Sequence, residues 1–473
     1  MNIIYLVHFK LFLVVLTILL SISSSHSLVA DLAIDIDSAY LENDLVDNFV
    51  YNRTSIIKNI FEIDSAGLTN AKLEISPWSD DYWPIYKGGL AYRYADPNMM
   101  NVYSLLTGIW DSISARDNTW KIYHKYYLKY PTSSYISDGT IDLLSPAEKY
   151  DLLIGDENFT MTKLMWAEGE QYYNSTGNVE TWMGICHGWA PASYMSPRPL
   201  RAVTISSVNN IHKITFYPAD IKALYSLFWA NFSYPLSIIG GRCLLEESDK
   251  KIDRDLISGR ILKQECFDTN SGTWHMSVVN QLGVAKKSFI VDVKYDYQVW
   301  NQPMISYNYT YFNPQTFKSY PDAKSALILL KEFKKDKFAH FRSMDTKYVV
   351  GVNMKITYGM ETTPNHLNDD PSLDSSSTST YNYDLELDET GKIIGGEWYK
   401  DSHPDFLWTP AADVKPYITL DKMISNKWNP LLEPLPANWA AYAKKATKDK
   451  MPLGRIIFAL NAASRGELNY FEE

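Results

Sequence analysis

Cys186 stands between two glycines and two tryptophans in Trp182-Met183-Gly184-Ile185-Cys186-His187-Gly188-Trp189. A thiol in such a turn is set up for nucleophilic attack, since glycines permit close approach of a substrate and indoles exclude water. A nucleophile of this kind needs a base, and the base needs an orienting group. His275 lies in Gly272-Thr273-Trp274-His275, and Asp292 in Ile290-Val291-Asp292-Val293. Between them, Gln281-Leu282-Gly283-Val284 reads as a hairpin turn. With the turn centred on Gly283 and Val284, His275 falls directly across the ladder from Asp292, and opposite residues share a face of the sheet. The carboxylate would fix one imidazole nitrogen and leave the other for Cys186, the logic of a Cys-His-Asp triad. A pairing shifted by two residues offers Lys294 instead.

Other residues compete for the supporting roles. Asp296 is the rival acid. Asn280, five positions after His275 on the same expected strand, falls on the opposite face. His187 adjoins the thiol, but chain neighbours point apart, so it is expected to shape the turn or to sense protonation. His403, in Ser402-His403-Pro404-Asp405-Phe406-Leu407-Trp408, supports either the site or a structural loop. Trp182 and Trp274 offer indole N–H groups to an oxyanion, beside backbone amides.

The elements that must position these groups are mixed helix and strand, an α+β fold. Ser145-Pro146-Ala147-Glu148 has the form of a capping box with proline at the first helical position, and Gly155 stops that helix. A second helix is expected from Thr160 to about Tyr172, leading to the Cys186 turn. Strands follow at 202–206 and 211–217, then a helix from Pro218 with Ile221, Leu224, Leu227 and Phe228 on one face. A helix over 323–335 precedes strands at 348–358 and 381–387, and the acidic, then Ser/Thr-rich run 368–380 is expected as a mobile surface loop. The domain expectation is an irregular aromatic region over 31–140, a catalytic core over 141–312 and an α+β region packing on it over 313–473.

Lys10 and the apolar run 11–20, followed by small residues at Ser25, Ser27 and Ala30, read as a signal peptide over 1–30, and no second segment of spanning length follows. The expected destination is extracellular or the cell surface, with no stable membrane insertion after cleavage. In an oxidising compartment Cys243 and Cys266 are the candidate disulfide, leaving Cys186 free. A net charge of -10 argues against nucleic acid, whose binding needs a basic footprint.

Thr181–Ser193, together with Gly272–His275 and Val299-Trp300-Asn301-Gln302-Pro303, resembles the transglutaminase elicitor family, whose known members are secreted proteins of oomycetes and some bacteria. The resemblance extends from Leu144 to Trp408. It implies protein-glutamine γ-glutamyltransferase activity, with Cys186 as nucleophile, His275 and Asp292 on adjacent antiparallel strands, and a papain- or transglutaminase-like centre in which the cysteine follows a helix. The implied partners are protein glutamine and lysine side chains, joined through a Cys186 thioester. The same triad would serve a glutamine deamidase or a cysteine peptidase, and a non-catalytic elicitor or cell-surface ligand is the reading from a different class. One departure stands out: Pro191, five residues after the thiol, is expected to shorten or delay the helix there. Calcium is the one cofactor considered, on Asp369, Asp370 and Asp374 or on Asp384, Glu386 and Asp388, without EF-hand spacing; no metal ligand is assigned.

Overall fold

The structure is a computed structural model that describes residues 46–51, 53–100, 119–241, 254–262, 268–293, 298–400 and 402–467. The expected signal peptide, the Cys243–Cys266 pair, Lys294 and Asp296 lie outside these residues.

Among the described helices of eight residues or more, α1 (Thr119–Lys129) comes first and α2 (Pro146–Ile154) second. The capping box of α2 forms as its sequence requires: Ser145 Oγ accepts the Glu148 N–H at 3.2 Å, and the Glu148 carboxylate takes the Ser145 N–H at 3.0 Å. Gly155 closes the helix at φ +69°, a conformation that glycine adopts without a Cβ penalty. Then come α3 (Thr160–Thr176), α4 (Cys186–Met195) and α5 (Pro218–Asn231). Ile221, Leu224, Leu227 and Phe228 of α5 are all buried, as their spacing demands. Two C-terminal helices, labelled α7 (Ala437–Thr447) and α8 (Gly454–Arg465), join this layer, while the eight-residue α6 (Ser271–Val278) lies apart from it.

The strands are β1 (Asn70–Lys72), β2 (Val203–Ser206), β3 (Lys213–Phe216), β4 (Leu236–Gly240), β5 (Ile290–Asp292), β6 (Asn301–Phe312), β7 (Ser319–Tyr320), β8 (Ile328–Leu329), β9 (Tyr348–Met360), β10 (Ser375–Leu387), β11 (Ile393–Gly395) and β12 (Phe406–Pro410). β2 and β3 form a separate hairpin, and the others make a ten-stranded sheet whose main path is β11-β10-β9-β6-β5-β12-β4. All its pairings are antiparallel. One apolar core gathers most of the helices and includes Cys186; a second lies on the sheet and takes in α6.

Three expectations are corrected. The helix over 323–335 is a single turn, Ala323–Ala326, because Ile328 and Leu329 turn extended to pair with Val349 and Tyr348 at the sheet edge. The run 368–380 is no loose loop. Its alternating Ser/Thr residues begin β10, pairing Ser375 with Met360 and continuing in register, and Asp369 and Asp374 hold the Arg198 guanidinium. The segment around His275 is helical, with consequences for the site. Among the described residues, no helix is long and apolar enough to cross a membrane.

Candidate functional site

Cys186 is the first residue of α4, so its position is set by whatever fixes that helix. An extended, largely buried strap, residues 78–85, runs along α4. The Trp78 N–H reaches the Ser193 carbonyl (3.2 Å), the Trp189 indole reaches the Trp78 carbonyl (3.1 Å), the Ile185 N–H reaches the Tyr82 carbonyl (2.7 Å), and the Ile85 N–H reaches the Met183 carbonyl (2.9 Å). The flanking glycines serve this packing. A Cβ on Gly184 would lie 2.4 Å from the Tyr82 carbonyl oxygen, and one on Gly188 would lie 2.1 Å from the Ser226 carbonyl oxygen of α5. Their absent side chains admit neighbouring backbone, where the sequence had pointed to substrate.

Pro191 does not delay the helix. It removes one N–H from the ladder, yet Trp189, Ala190, Ala192 and Ser193 are all buried, and that packing carries α4 on to Met195. Cys186 therefore sits where first-turn amides lack helical acceptors and the helix dipole favours negative charge.

Across from the thiol is the start of β6. Asn301 Nδ2 lies 3.5 Å from Cys186 Sγ, and the thiol is placed to donate to the Val299 carbonyl at 3.7 Å. The Asn301 carboxamide oxygen accepts from the Trp408 indole of β12 at 2.8 Å. In the β5–β6 ladder Asn301 is paired with Asp292. Cross-strand partners share a face, so the Asp292 carboxylate is on the thiol side of the sheet, where its Oδ1 accepts the Trp300 N–H at 3.0 Å. Tyr82 and Trp300 pack with ring centroids 5.6 Å apart, both half-buried, and Gln302 donates to Glu361 at 2.7 Å.

Burial pushes the Cys186 thiol up to about 11; hydrogen bonds from the Asn301 side chain and backbone pull the other way, and the charges of Glu361 and Asp292 raise it further. The resting thiol is protonated at neutral pH. Since a free thiol titrates near about 8.5, iodoacetamide should alkylate Cys186 at neutral pH about two orders of magnitude more slowly than a cysteine peptide. A pH profile with its midpoint at or below 8.5 would contradict this.

The sequence model of the family described as Transglutaminase elicitor matches residues 168–424, more than half of the chain and a span that holds every group just described from Cys186 to Trp408. The chain belongs to the transglutaminase elicitor family. Among solved structures, the GP42 transglutaminase from Phytophthora sojae is similar, with 22% sequence identity over 73% of this chain and 84% of that chain and a TM-score of 0.46. No curated protein matches this sequence.

Within the family-matched span, the structure separates residues that the sequence reading had joined. His275 is on α6, capped by Asn270, and the residues read as its hairpin turn form a π-helical turn, Val279–Val284. It is therefore not opposite Asp292, whose partner is Asn301. Its Nδ1 is 2.9 Å from the Tyr383 hydroxyl, its ring packs against Tyr309, and its Nε2 has no hydrogen-bond partner among the described residues. Neither its hydrogen bond nor its ring contacts involve Cys186, whose own polar partners are Val299 and Asn301. Asn280, on the π-helical turn, holds the backbone of Ile57 and Met276.

The other candidates sort similarly. Trp274 is fully buried among Phe289, Tyr381 and Trp398, while the Trp182 indole donates to Glu180. Burial holds His187 down at about 4, against the opposing charge of Glu168 on α3. His403 stacks on Trp398 at 4.9 Å and lies 3.6 Å from Asp268. The carboxylates considered for calcium have other partners: Asp369 and Asp374 face Arg198, Asp370 accepts the Ser372 N–H, Asp384 and Glu386 face Arg342, and Asp388 caps a turn at Thr390. Among the described residues no cluster of three metal-ligating side chains occurs. The groups missed in sequence were Asn301, Trp408, Glu361 and Tyr82. Asn301 and Trp408 had a visible signal, their places in Val299–Pro303 and Ser402–Trp408; Glu361 and Tyr82 had none.

Proposed function

We propose that this chain is an exported protein-glutamine γ-glutamyltransferase with Cys186 as its nucleophile and Asp292 as the carboxylate that handles protons. The observation that carries the reading is Cys186 at the first position of α4, facing an amide donor and a carboxylate-bearing strand, inside the family-matched span. Cys186 Sγ attacks the γ-carboxamide carbon of a glutamine side chain, and its proton passes to Asp292. The oxyanion gathers at the first-turn amides of α4. Collapse breaks the C–N bond, ammonia leaves with the proton returned by Asp292, and a thioester remains. A lysine ε-amine then attacks the thioester carbonyl, losing a proton to Asp292 and expelling the thiolate, which leaves an isopeptide bond.

The test is incorporation of a labelled primary amine into a glutamine-bearing protein by the purified secreted chain, with ammonia release and chain cleavage followed together. Amine incorporation supports the proposal. Ammonia alone would make it a deamidase, and cleavage a peptidase. Silence in all three channels would favour a non-catalytic elicitor, the reading that the protonated thiol and the pairing of His275 with Tyr383 instead of Cys186 favour.

His275 provides an internal control. Burial holds it at about 3 against an ordinary 6.5, so below pH 6.5 the unfolded chain binds the extra proton. Its contribution is complete above pH 6.5 and lost as pH falls towards about 3. His275→Gln, which also gives up the Tyr383 contact, should cost about 1–3 kcal/mol at neutral pH and show a smaller acid loss of urea midpoint. Amine incorporation per folded molecule should be unchanged. A collapse of turnover with the fold intact would restore His275 as the base.

A further inference from the structure

We infer that Asn301 is a catalytic residue whose side-chain N–H, aimed by the Trp408 indole, holds the sulfur of Cys186 as it gains negative charge. The inference rests on the reading of Cys186 as nucleophile.

A carboxamide has a donating and an accepting end, and its orientation decides whether it helps or opposes a thiolate. Here the neighbour settles it. An indole N–H can only donate, so Trp408, at 2.8 Å, must face the carboxamide oxygen, and this leaves Nδ2 towards Cys186 Sγ at 3.5 Å. The amide is buried, as is Trp408, so no solvent competes for either end. The three residues come from α4, β6 and β12, and the strand positions of the last two are fixed by their ladders: Asn301 by Asp292, Trp408 by Ile238 of β4 and Ile290 of β5.

The chemistry asks for such a donor twice. When Cys186 gives up its proton, the sulfur loses the bond it makes to the Val299 carbonyl and becomes acceptor-only, with Asn301 already in place. When the lysine amine expels the sulfur from the thioester, the same N–H receives the returning thiolate. The burial of this site and the nearby carboxylates oppose a charged sulfur, so one fixed donor has a large share of the work. Trp408 touches no reacting atom and is a positioning residue: without it the carboxamide is free to turn its oxygen to the sulfur.

The test uses the full secreted chain and two readouts, the pH profile of iodoacetamide alkylation at Cys186 and the kcat and KM of amine incorporation, with urea midpoints to establish folding. In Asn301→Ala, alkylation near neutral pH should slow at least about tenfold, and kcat should fall about a hundredfold with KM little changed. Trp408→Phe should move both readouts in the same direction by less, which a purely structural part for Trp408 would not produce. An unchanged alkylation profile and kcat in folded Asn301→Ala overturns the inference. Should Asn301→Ala fail to fold, a Trp408→Phe variant with the parent's profile overturns it equally. The alkylation readout needs no turnover, so absence of amine incorporation in the parent would sink the proposed function and leave Asn301 to be judged by its effect on the thiol.

Discussion

Cys186→Ala should abolish amine incorporation and leave the fold intact. Loss of a nucleophile that acts together with its proton carrier and oxyanion donors costs on the order of 10⁶ in kcat where it has been dissected in other enzymes, which places the variant at the assay background. The side chain itself is small and almost buried, and its polar contacts are long ones, to Val299 and Asn301. Removing one sulfur should therefore cost only about 1 kcal/mol of stability, and Asn301 keeps its bond to Trp408. The urea midpoint should stay near the parent's. Residual incorporation above background in this variant would remove the thiol from the mechanism.

Gly188→Ala should have the largest effect on stability of any single-methyl change near the site. The new Cβ would stand 2.1 Å from the Ser226 carbonyl oxygen and 2.7 Å from the Ala230 Cβ, both on α5. Neither neighbour is the end of a flexible side chain, so the two helices must separate. Overpacking of this kind costs about 3 kcal/mol or more. Because Cys186 lies two residues earlier on α4, the shift should also move the sulfur from Asn301, so turnover should fall even in the molecules that remain folded. A urea midpoint equal to the parent's would show that the α4–α5 contact can relax and that this account of the glycine is wrong.

The two glycines illustrate what a sequence conveys and what it leaves open. That something must come close to the chain at Gly184 and Gly188 was evident from residue type alone. That the visitors are the Tyr82 and Ser226 carbonyls was not, because those contacts bridge segments about 40 to 100 positions away and a glycine carries no mark of its neighbour. His275 failed for a different reason. Val278, Val279 and Gly283 carry a strand-and-turn signal, yet the Asn270 cap starts a helix and the π-helical turn absorbs the glycine, which packs against the Tyr307 hydroxyl. Local preference there was outweighed by burial in the second core.

By itself the sequence determined the elements whose signals are local: the capping box and Gly155 around α2, the apolar face of α5, the strands at β9 and the end of β10, and the motifs that place the chain in its family. Only the tertiary structure decided which groups meet the Cys186 thiol. Sheet register brought Asp292 to Asn301 instead of to His275, and strand order brought Trp408 behind the carboxamide. Register and strand order are settled by how the whole sheet buries its faces, and no short stretch of residues contains that information.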